Sequence, residues 1–226
     1  MENQIIVFLP CRKGSQRVLK KNIRPFAGQD GGLTRIKLKQ LLKTPSISQI
    51  VLSSDDDEVL EIGASFNSEK IIINHRPKYL ASSSTSTDEL INFVPEIIQS
   101  GHILWTHVTS PFIDEMDYEK IIRTYIEGLQ KGYDSLMTVT KLHKFLWTKQ
   151  GALNYDRSKE KWPRTQTLDP VFEINSGAFL TNIQTYKEEK DRIGKNPLLF
   201  EMDEMKSYDI DWEVNFKIAE QIYING

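Results

Sequence analysis

The chain has 226 residues, of which 39% are hydrophobic and 27% are charged, a composition typical of a soluble globular protein. Its formal net charge of −2 gives no overall basic field, so nucleic acid is not an expected partner, and no apolar run is long enough to cross a membrane. The single cysteine, Cys11, excludes an internal disulfide and a cysteine-rich metal site. We predict one domain over residues 1–226 and a cytoplasmic location, because the first residues lack the features of a signal peptide.

A basic loop follows the first predicted strand, which is the apolar run at residues 5–9. Six lysine and arginine residues and no acid lie between Arg12 and Arg24. Gly14 and Ser15 lie among these cations, where the backbone can bend closely around a ligand and offer its N–H groups. The G-x-x-x-x-G-K-[ST] and G-x-G-x-x-G phosphate signatures are both absent. The loop is therefore either a phosphate-binding loop of another type or a solvated basic surface.

Strand and helix patterns alternate through the first 140 residues. The strands are predicted at 5–9, 50–52, 71–73, 103–108 and 135–140, and the helices at 33–43, 58–66, 84–99 and 114–129. Pro95 either kinks the third helix or ends it early. Such alternation predicts a mostly parallel sheet covered on both faces, with ligands at the carboxyl ends of its strands. The polar strand ends at Arg12, Asp55 and Thr109-Ser110 should therefore face one crevice.

The pattern changes between residues 141 and 172, where three large aromatic residues, Trp147, Tyr155 and Trp162, stand among charges. This composition predicts an excursion outside the sheet, either a hairpin arm that contacts a partner subunit or a plain surface loop. An apolar run at 177–180, a short helix at 184–192 and a last helix at 212–224 complete the prediction.

Several short motifs resemble those of the acylneuraminate cytidylyltransferases, also called CMP-sialic acid synthetases. The N-terminal motif is Leu9-Pro10-Cys11-Arg12 with Gly14-Ser15 and Lys21-Asn22. Five further elements follow in the family's order: Ser53-Ser54-Asp55, Arg76-Pro77 with the hydroxyl-rich stretch 82–87, Thr109-Ser110-Pro111, Asn175 with Gly177-Ala178, and Asp209-Ile210-Asp211-Trp212-Glu213. Together these six elements cover nearly the whole chain.

The resemblance implies a doubly wound α/β fold of the nucleotide-diphospho-sugar-transferase type and, usually, a homodimer. It implies that CTP and a nine-carbon 2-keto sugar acid give a CMP-sugar and pyrophosphate, with Mg²⁺ required. The chain departs from the family pattern at several positions: His107, Phe112-Ile113, Glu173, Ser176 and Asn215. These departures affect the predicted identity of the acceptor sugar more than the predicted reaction.

Two variants of this enzyme remain open, one acting on another 2-keto sugar acid and one on a sugar 1-phosphate with a different base. The Lys21-Asn22 ending favours the sialic-type loop over the octulosonate type. A non-catalytic nucleotide-binding protein of the same fold is the remaining alternative.

The catalytic residues implied by the resemblance are Arg12, Lys21, Asp209 and Asp211. Arg12 and Lys21 are the predicted phosphate ligands, with Ser15 and the backbone of Gly14 around the triphosphate. Asn22 either recognises the cytosine edge or closes the loop as a turn residue. Arg17 and Lys20 receive no role.

Asp209 and Asp211 alternate along an extended segment, so both side chains point to one face. Two carboxylates beside phosphates make a minimal Mg²⁺ site that water and substrate oxygens complete. The same pair also suits the N-cap of the last helix. A bound metal would acidify the anomeric hydroxyl of the sugar and reduce the need for a side-chain base.

The remaining predicted site residues contact the nucleotide or the acceptor. Arg76 suits the base or ribose, and Thr87 belongs to the hydroxyl-rich element of the nucleotide site. His107 is a base, a substrate contact or a structural residue. Arg164 either holds the carboxylate of the acceptor or is a surface charge of the arm, and Asn175 belongs to the acceptor site.

Overall fold

Apolar side chains alternate between the two faces of the first strand, and this alternation builds the centre of the protein. In this computed structural model, which describes residues 4–82 and 84–225, Val7 and Leu9 lie on one face of the strand and Ile6 and Phe8 on the other. All four are at most 5% exposed. Because burying each such side chain contributes about 1.5–3 kcal/mol, both faces of this strand must be covered.

Over the first 140 residues the strands and helices follow one another in the predicted alternation. The elements of the chain are β1 (Ile5–Cys11), α1 (Gly32–Lys43), β2 (Ile47–Ser54), α2 (Asp57–Ala64), β3 (Ile71–His75), α3 (Thr87–Ile97), β4 (His102–Thr106), α4 (Glu115–Leu129), β5 (Ser135–Leu142), β6 (Trp147–Thr148), β7 (Gly151–Ala152), β8 (Val171–Asn182), α5 (Ile183–Glu188), β9 (Pro197–Glu201) and α6 (Glu213–Asn225).

Seven of the strands form one sheet in the order β3-β2-β1-β4-β8-β5-β9. Strand β8 runs antiparallel to both of its neighbours, whereas the other pairs are parallel. Helices α1, α2, α4 and α6 pack on one face, and α3 and α5 pack on the other. The predicted mostly parallel, doubly wound α/β sheet is therefore confirmed. Its register places the ends of β1 and β2 side by side, with Cys11 opposite Ser54.

Two strands of the main sheet, β8 and β9, differ most from the prediction because their patterns are weak. Strand β9 was not predicted, since it is a short edge strand whose residues are only partly buried. Strand β8 extends well before the apolar run at 177–180, and its polar residues Asn175 and Ser176 lie where the register with β5 shifts. The residue Ser83 of the predicted element 82–87 lies outside the described residues.

Helix boundaries follow local capping. Ser86 accepts a hydrogen bond from the backbone N–H of Glu89, so α3 begins at Thr87 rather than at 84. Pro95 lies inside this helix, which ends two residues later. Helix α5 ends at Glu188, earlier than the predicted 192.

The segment between β5 and β8 leaves the sheet, as predicted for residues 141–172. It carries the small β6–β7 hairpin and a cluster of aromatic rings. The guanidinium of Arg157 lies 5.0 Å from the ring centroid of Trp147 and 5.5 Å from that of Trp162. These two indoles are 56% and 67% exposed. The role of this segment as a dimer arm stays a prediction. Across residues 4–82 and 84–225, no helix is long and apolar enough to cross a membrane.

Candidate active site

The carboxyl ends of the central strands open into a cavity of about 520 Å³. It is lined by the basic loop, the end of β4, the bulge of β8 and the segment before α6. The predicted residues on its wall are Arg12, Ser15, Lys21, Asn22, His107, Asp209 and Asp211. Sequence reasoning did not single out Gln16, left Arg17 without a role and treated Ser176 as an interruption of a motif, yet all three line the same cavity.

Hydrogen bonds to the segments that follow β2 and β3 hold the basic loop in place. The backbone N–H of Lys13 donates to Asp55 Oδ1 over 2.8 Å, and Arg12 Nη1 donates to the carbonyl of Ser82 over 3.1 Å. Gly14 has a φ of 75°, a conformation that favours glycine. Asn22 Nδ2 donates to the carbonyl of Arg12 over 3.2 Å, so this side chain closes the loop and also lines the cavity.

Two cations of the loop contact the segment before α6. Lys21 Nζ donates to the carbonyl of Ile210 over 2.7 Å and lies 3.7 Å from Asp211 Oδ1. Burial lowers the pKa of Lys21, and the charges of Asp209 and Asp211 oppose this shift. Arg17 Nη2 lies 2.9 Å from the same Asp211 oxygen, and its guanidinium stacks on Trp212. Both cations therefore lie directly against the carboxylate of Asp211 at the cavity wall.

Lys20 belongs to a different surface. Its ammonium lies 2.8 and 3.0 Å from the two carboxylate oxygens of Glu58 at the start of α2. Neither side chain lines the cavity, and both are more than half exposed. Lys20 is accordingly one half of a solvated ion pair, which contributes little to stability.

The carboxylate pair occupies the wall opposite the loop. Ile210 is buried between the two acids, and its backbone N–H donates to the carbonyl of Thr109 over 2.9 Å, which leaves Asp209 and Asp211 on the cavity side. Burial raises the pKa of Asp209, and the charge of Asp211 adds to the rise, whereas the Thr109 hydroxyl and Lys21 oppose it. Asp209 Oδ1 is a buried oxygen without a hydrogen-bond partner among the described residues.

Such an orphaned carboxylate oxygen suits a cation ligand better than a structural role. The helix-cap alternative is weaker, since α6 begins at Glu213 and the residue directly before it is Trp212, whose N–H donates to Asn215 Oδ1. In the described part of the chain no cluster of three or more His, Cys, Asp or Glu side chains could hold a metal alone. The pair therefore fits a cation whose remaining ligands come from substrate and water.

A second cavity of about 510 Å³ adjoins the first and shares the walls formed by Ser176, Asp209 and Asp211. Asn175 lines it with a side chain already engaged by β5, since its Oδ1 accepts from Thr138 Oγ1 over 2.6 Å and its Nδ2 donates to Thr140 Oγ1 over 3.1 Å. Ser176 has a φ of 57° at this bulge. The motif at residues 175–178, which Ser176 interrupts, thus forms part of the wall between the two cavities.

His107 contacts the first cavity as a neutral ring. Trp105 Nε1 donates to His107 Nε2 over 3.1 Å, which leaves the proton on Nδ1. Burial lowers the pKa of His107 to about 3, and the charges of Arg192, Lys21 and Lys37 add to the shift. A ring with this pKa is a poor proton acceptor, so His107 suits a substrate contact rather than a general base.

Four predicted site residues line neither cavity within the described residues: Gly14, which forms the turn of the basic loop, and Arg76, Thr87 and Arg164. Arg76 is buried and donates from Nη2 to the carbonyl of Ser53 over 2.8 Å, so its guanidinium is engaged by the end of β2. Thr87 is exposed at the start of α3. Arg164 is exposed in the excursion, where its carbonyl accepts from Thr167. A strand end, a hydroxyl-rich element and the affinity of arginine for carboxylates predicted Arg76, Thr87 and Arg164, but their side chains line neither cavity in the single chain.

A family model described as cytidylyltransferase matches residues 6–225. The chain is 25% identical to the N-acylneuraminate cytidylyltransferase of Escherichia coli O18:K1:H7, over 97% of this chain and 52% of that protein. It is 30% identical to the pseudaminic acid cytidylyltransferase of Campylobacter jejuni serotype O:2, over 54% of this chain and 54% of that protein. The chain thus spans about half the length of these relatives.

Among solved structures, the chain resembles a CMP-2-keto-3-deoxy-manno-octonic acid synthetase complexed with CTP. The TM-score is 0.68 at 16% identity, over 99% of both chains. A 4-diphosphocytidyl-2C-methyl-D-erythritol synthase from Anaerococcus prevotii gives 0.66 at 14% identity, over 98% of this chain and 96% of that one. These likenesses confirm the predicted type of fold.

Proposed function

The chain belongs to the cytidylyltransferase family, and we propose that it transfers a cytidylyl group from CTP to a 2-keto sugar acid of the sialic type. The observation that supports this most directly is the arrangement of the two cavities. One is walled by the basic loop, the other adjoins it, and the carboxylate pair stands where they meet. Such a site can hold a triphosphate and an acceptor with their reacting atoms side by side.

In the proposed reaction the triphosphate of CTP lies in the first cavity, where Arg12, Lys21 and Ser15 bind its oxygens. An acceptor hydroxyl oxygen forms a bond to the α-phosphorus and releases its proton to solvent water. The bond from that phosphorus to the bridging oxygen breaks, and pyrophosphate leaves with the electron pair. Negative charge grows on the leaving group, so fixed cations lower the barrier. Arg17 can turn from Asp211 to the phosphates, since both side chains of this ion pair are nearly half exposed.

We propose that Asp209 and Asp211 hold a divalent cation, Mg²⁺ by the chemistry of the donors. The buried, unpartnered Oδ1 of Asp209 supports this assignment. When bound, such a cation offsets phosphate charge and acidifies the attacking hydroxyl. Asp211 would exchange its present contacts with Arg17 and Lys21 for this role.

The acceptor is proposed to occupy the second cavity. The names of the two cytidylyltransferase relatives refer to N-acylneuraminate and pseudaminic acid, which are both acidic sugars and support an acceptor of this class. Lys144 lines this cavity and can bind a carboxylate, although Glu204 lies 3.4 Å away and competes for it. Arg164 could serve the predicted carboxylate role only from a partner subunit, because it lies outside the cavity in its own chain.

Pyrophosphate release tests the proposal. Purified protein with Mg²⁺ should release pyrophosphate from CTP, and not from UTP, GTP or ATP, in the presence of a nonulosonate. The panel should contain acylneuraminate, pseudaminate, legionaminate and octulosonate, together with a sugar 1-phosphate. Release only with the sugar 1-phosphate would identify the alternative enzyme class. Tight CTP binding without release for any acceptor would refute the enzymatic function.

We also propose that the exposed aromatic cluster of the excursion joins two copies of the chain. The double substitution Trp147→Ser and Trp162→Ser should then weaken the dimer at least about tenfold, because aromatic anchors dominate interface energies. Analytical ultracentrifugation measures the change. Tyr79→Ser is the control, since this tyrosine is equally exposed elsewhere on the surface. A monomeric wild-type protein at micromolar concentration would contradict the dimer.

A further inference from the structure

A lysine lies in the core behind the active site, where the proposed chemistry does not use it. Lys37 belongs to α1 and is 0% exposed. Its Nζ donates to the carbonyl of Ser110 over 2.8 Å, to the carbonyl of Ile113 over 3.1 Å and to the hydroxyl of Tyr118 over 2.8 Å. An ammonium has three N–H donors, and here each donor has an acceptor.

Two of these acceptors belong to the segment 109–113, which we call the Thr109 turn. Gln40, one helical turn after Lys37 on α1, donates from Nε2 to the carbonyl of Pro111 over 2.7 Å. Side chains of α1 therefore bind the turn from its buried side. On the opposite side, the carbonyl of Thr109 accepts from the N–H of Ile210, the residue between the two site carboxylates.

The third acceptor starts a chain of hydrogen bonds to the other wall of the site. Thr106 Oγ1 donates to the carbonyl of Gly177 over 2.7 Å, so it accepts the proton of the Tyr118 hydroxyl at 2.8 Å. The Tyr118 oxygen in turn accepts from Lys37. Gly177 follows Ser176, which lines both cavities. Lys37 is thus connected to both sides of the carboxylate pair.

From this geometry we propose that Lys37 is a positioning residue: it fixes the Thr109 turn and, through it, the placement of Asp209 and Asp211. The kinetic consequence rests on the proposed cytidylyl transfer. A second consequence does not rest on that function. The Ile210 N–H should be protected from hydrogen exchange by its bond to Thr109 only while Lys37 holds the turn. If Lys37 served packing alone, removing its hydrogen bond to Tyr118 would change neither turnover nor the hydrogen exchange of the Ile210 amide.

The chain offers a matched pair of substitutions for the test. Tyr118 and Tyr125 lie on the same helix, are 0% and 1% exposed, and each hydroxyl makes a buried hydrogen bond of 2.8 Å. Tyr125 bonds to His102 at the far end of β4, away from the Thr109 turn. Tyr118→Phe should lower kcat about tenfold with little change in KM for CTP, as other supporting partners of site residues do. Tyr125→Phe should leave kcat unchanged.

Hydrogen exchange provides the second readout. The Ile210 amide should exchange faster in Tyr118→Phe than in Tyr125→Phe, and faster again in Lys37→Met. If Lys37→Met does not fold, the comparison of Tyr118→Phe with Tyr125→Phe still tests the proposal. Equal exchange at Ile210 in the two tyrosine variants would overturn the proposal, whatever the activity. A wild-type protein without any pyrophosphate release would refute the proposed function instead and leave the exchange comparison decisive for Lys37.

Discussion

Replacing Asp211 with asparagine should remove nearly all cytidylyl transfer and leave CTP affinity within about tenfold of the wild type. Asparagine keeps the shape of the side chain but removes its charge at the wall that the two cavities share. The cations of the loop remain, and Arg17 loses the carboxylate that holds it at 2.9 Å. Since the released guanidinium can bind phosphate, the substitution should harm turnover far more than binding.

Pyrophosphate release at saturating substrate measures the loss of turnover, and calorimetric titration with CTP measures binding. Asp203→Asn is a suitable control, because this exposed carboxylate precedes the same segment and lines neither cavity in the described structure. Full turnover by the Asp211 variant would contradict the proposed metal role. A loss of CTP affinity far beyond about tenfold would mean that the carboxylate pair, not the loop, holds the nucleotide.

Local patterns predicted the parts of this site that depend on neighbours in sequence. The buried alternation of β1, the turn at Gly14 and the alternation of Asp209 and Asp211 around the buried Ile210 are all properties of a few consecutive residues. These features depend only on the spacing of side chains along the backbone and on local backbone preferences, so they can be predicted without knowledge of the fold. For this reason the first cavity contains most of the residues that the motifs indicated.

The local patterns did not determine contacts between residues that are distant in sequence, and these contacts fixed the remaining features of the site and the sheet. Arg17 and Lys20 are similar cations three residues apart, yet one faces Asp211 and the other Glu58. Arg76 occupies the predicted strand end, but its guanidinium turns toward Ser53. The extra strand β9 pairs with β5 across more than fifty residues of chain. Each outcome depends on tertiary packing that composition and spacing do not encode.

Lys37 belongs to none of the sequence motifs, and its contacts also depend on tertiary packing. Helical spacing places it among the core positions of α1, where a charged residue is rarely found without partners. Its three acceptors come from residues 110, 113 and 118, so only the folded chain brings them to the ammonium. A lysine at helical spacing between the core residues Leu33 and Leu41 was the available signal in the sequence.

Raising the pH from about 7 to about 9.5 should increase the free energy of unfolding contributed by Lys37 by about 3 kcal/mol. Burial lowers the pKa of this lysine from 10.5 to about 7. The charges of Asp117 and Asp114 oppose the shift, and that of Lys206 adds to it. Between these two pKa values the unfolded chain binds more protons at this residue than the folded protein does. Stability must therefore rise with pH across this window.

Urea unfolding of the wild type and of Lys37→Met at both pH values measures this contribution. Groups that titrate alike in the two proteins cancel in the difference between their unfolding free energies. We expect that difference to move in favour of the wild type by about 3 kcal/mol as the pH rises. A difference that stays constant would mean that the three acceptors keep the ammonium charged beyond pH 9.5. In that case its hydrogen bonds offset most of the cost of burial, and the hold on the Thr109 turn would persist across the whole range.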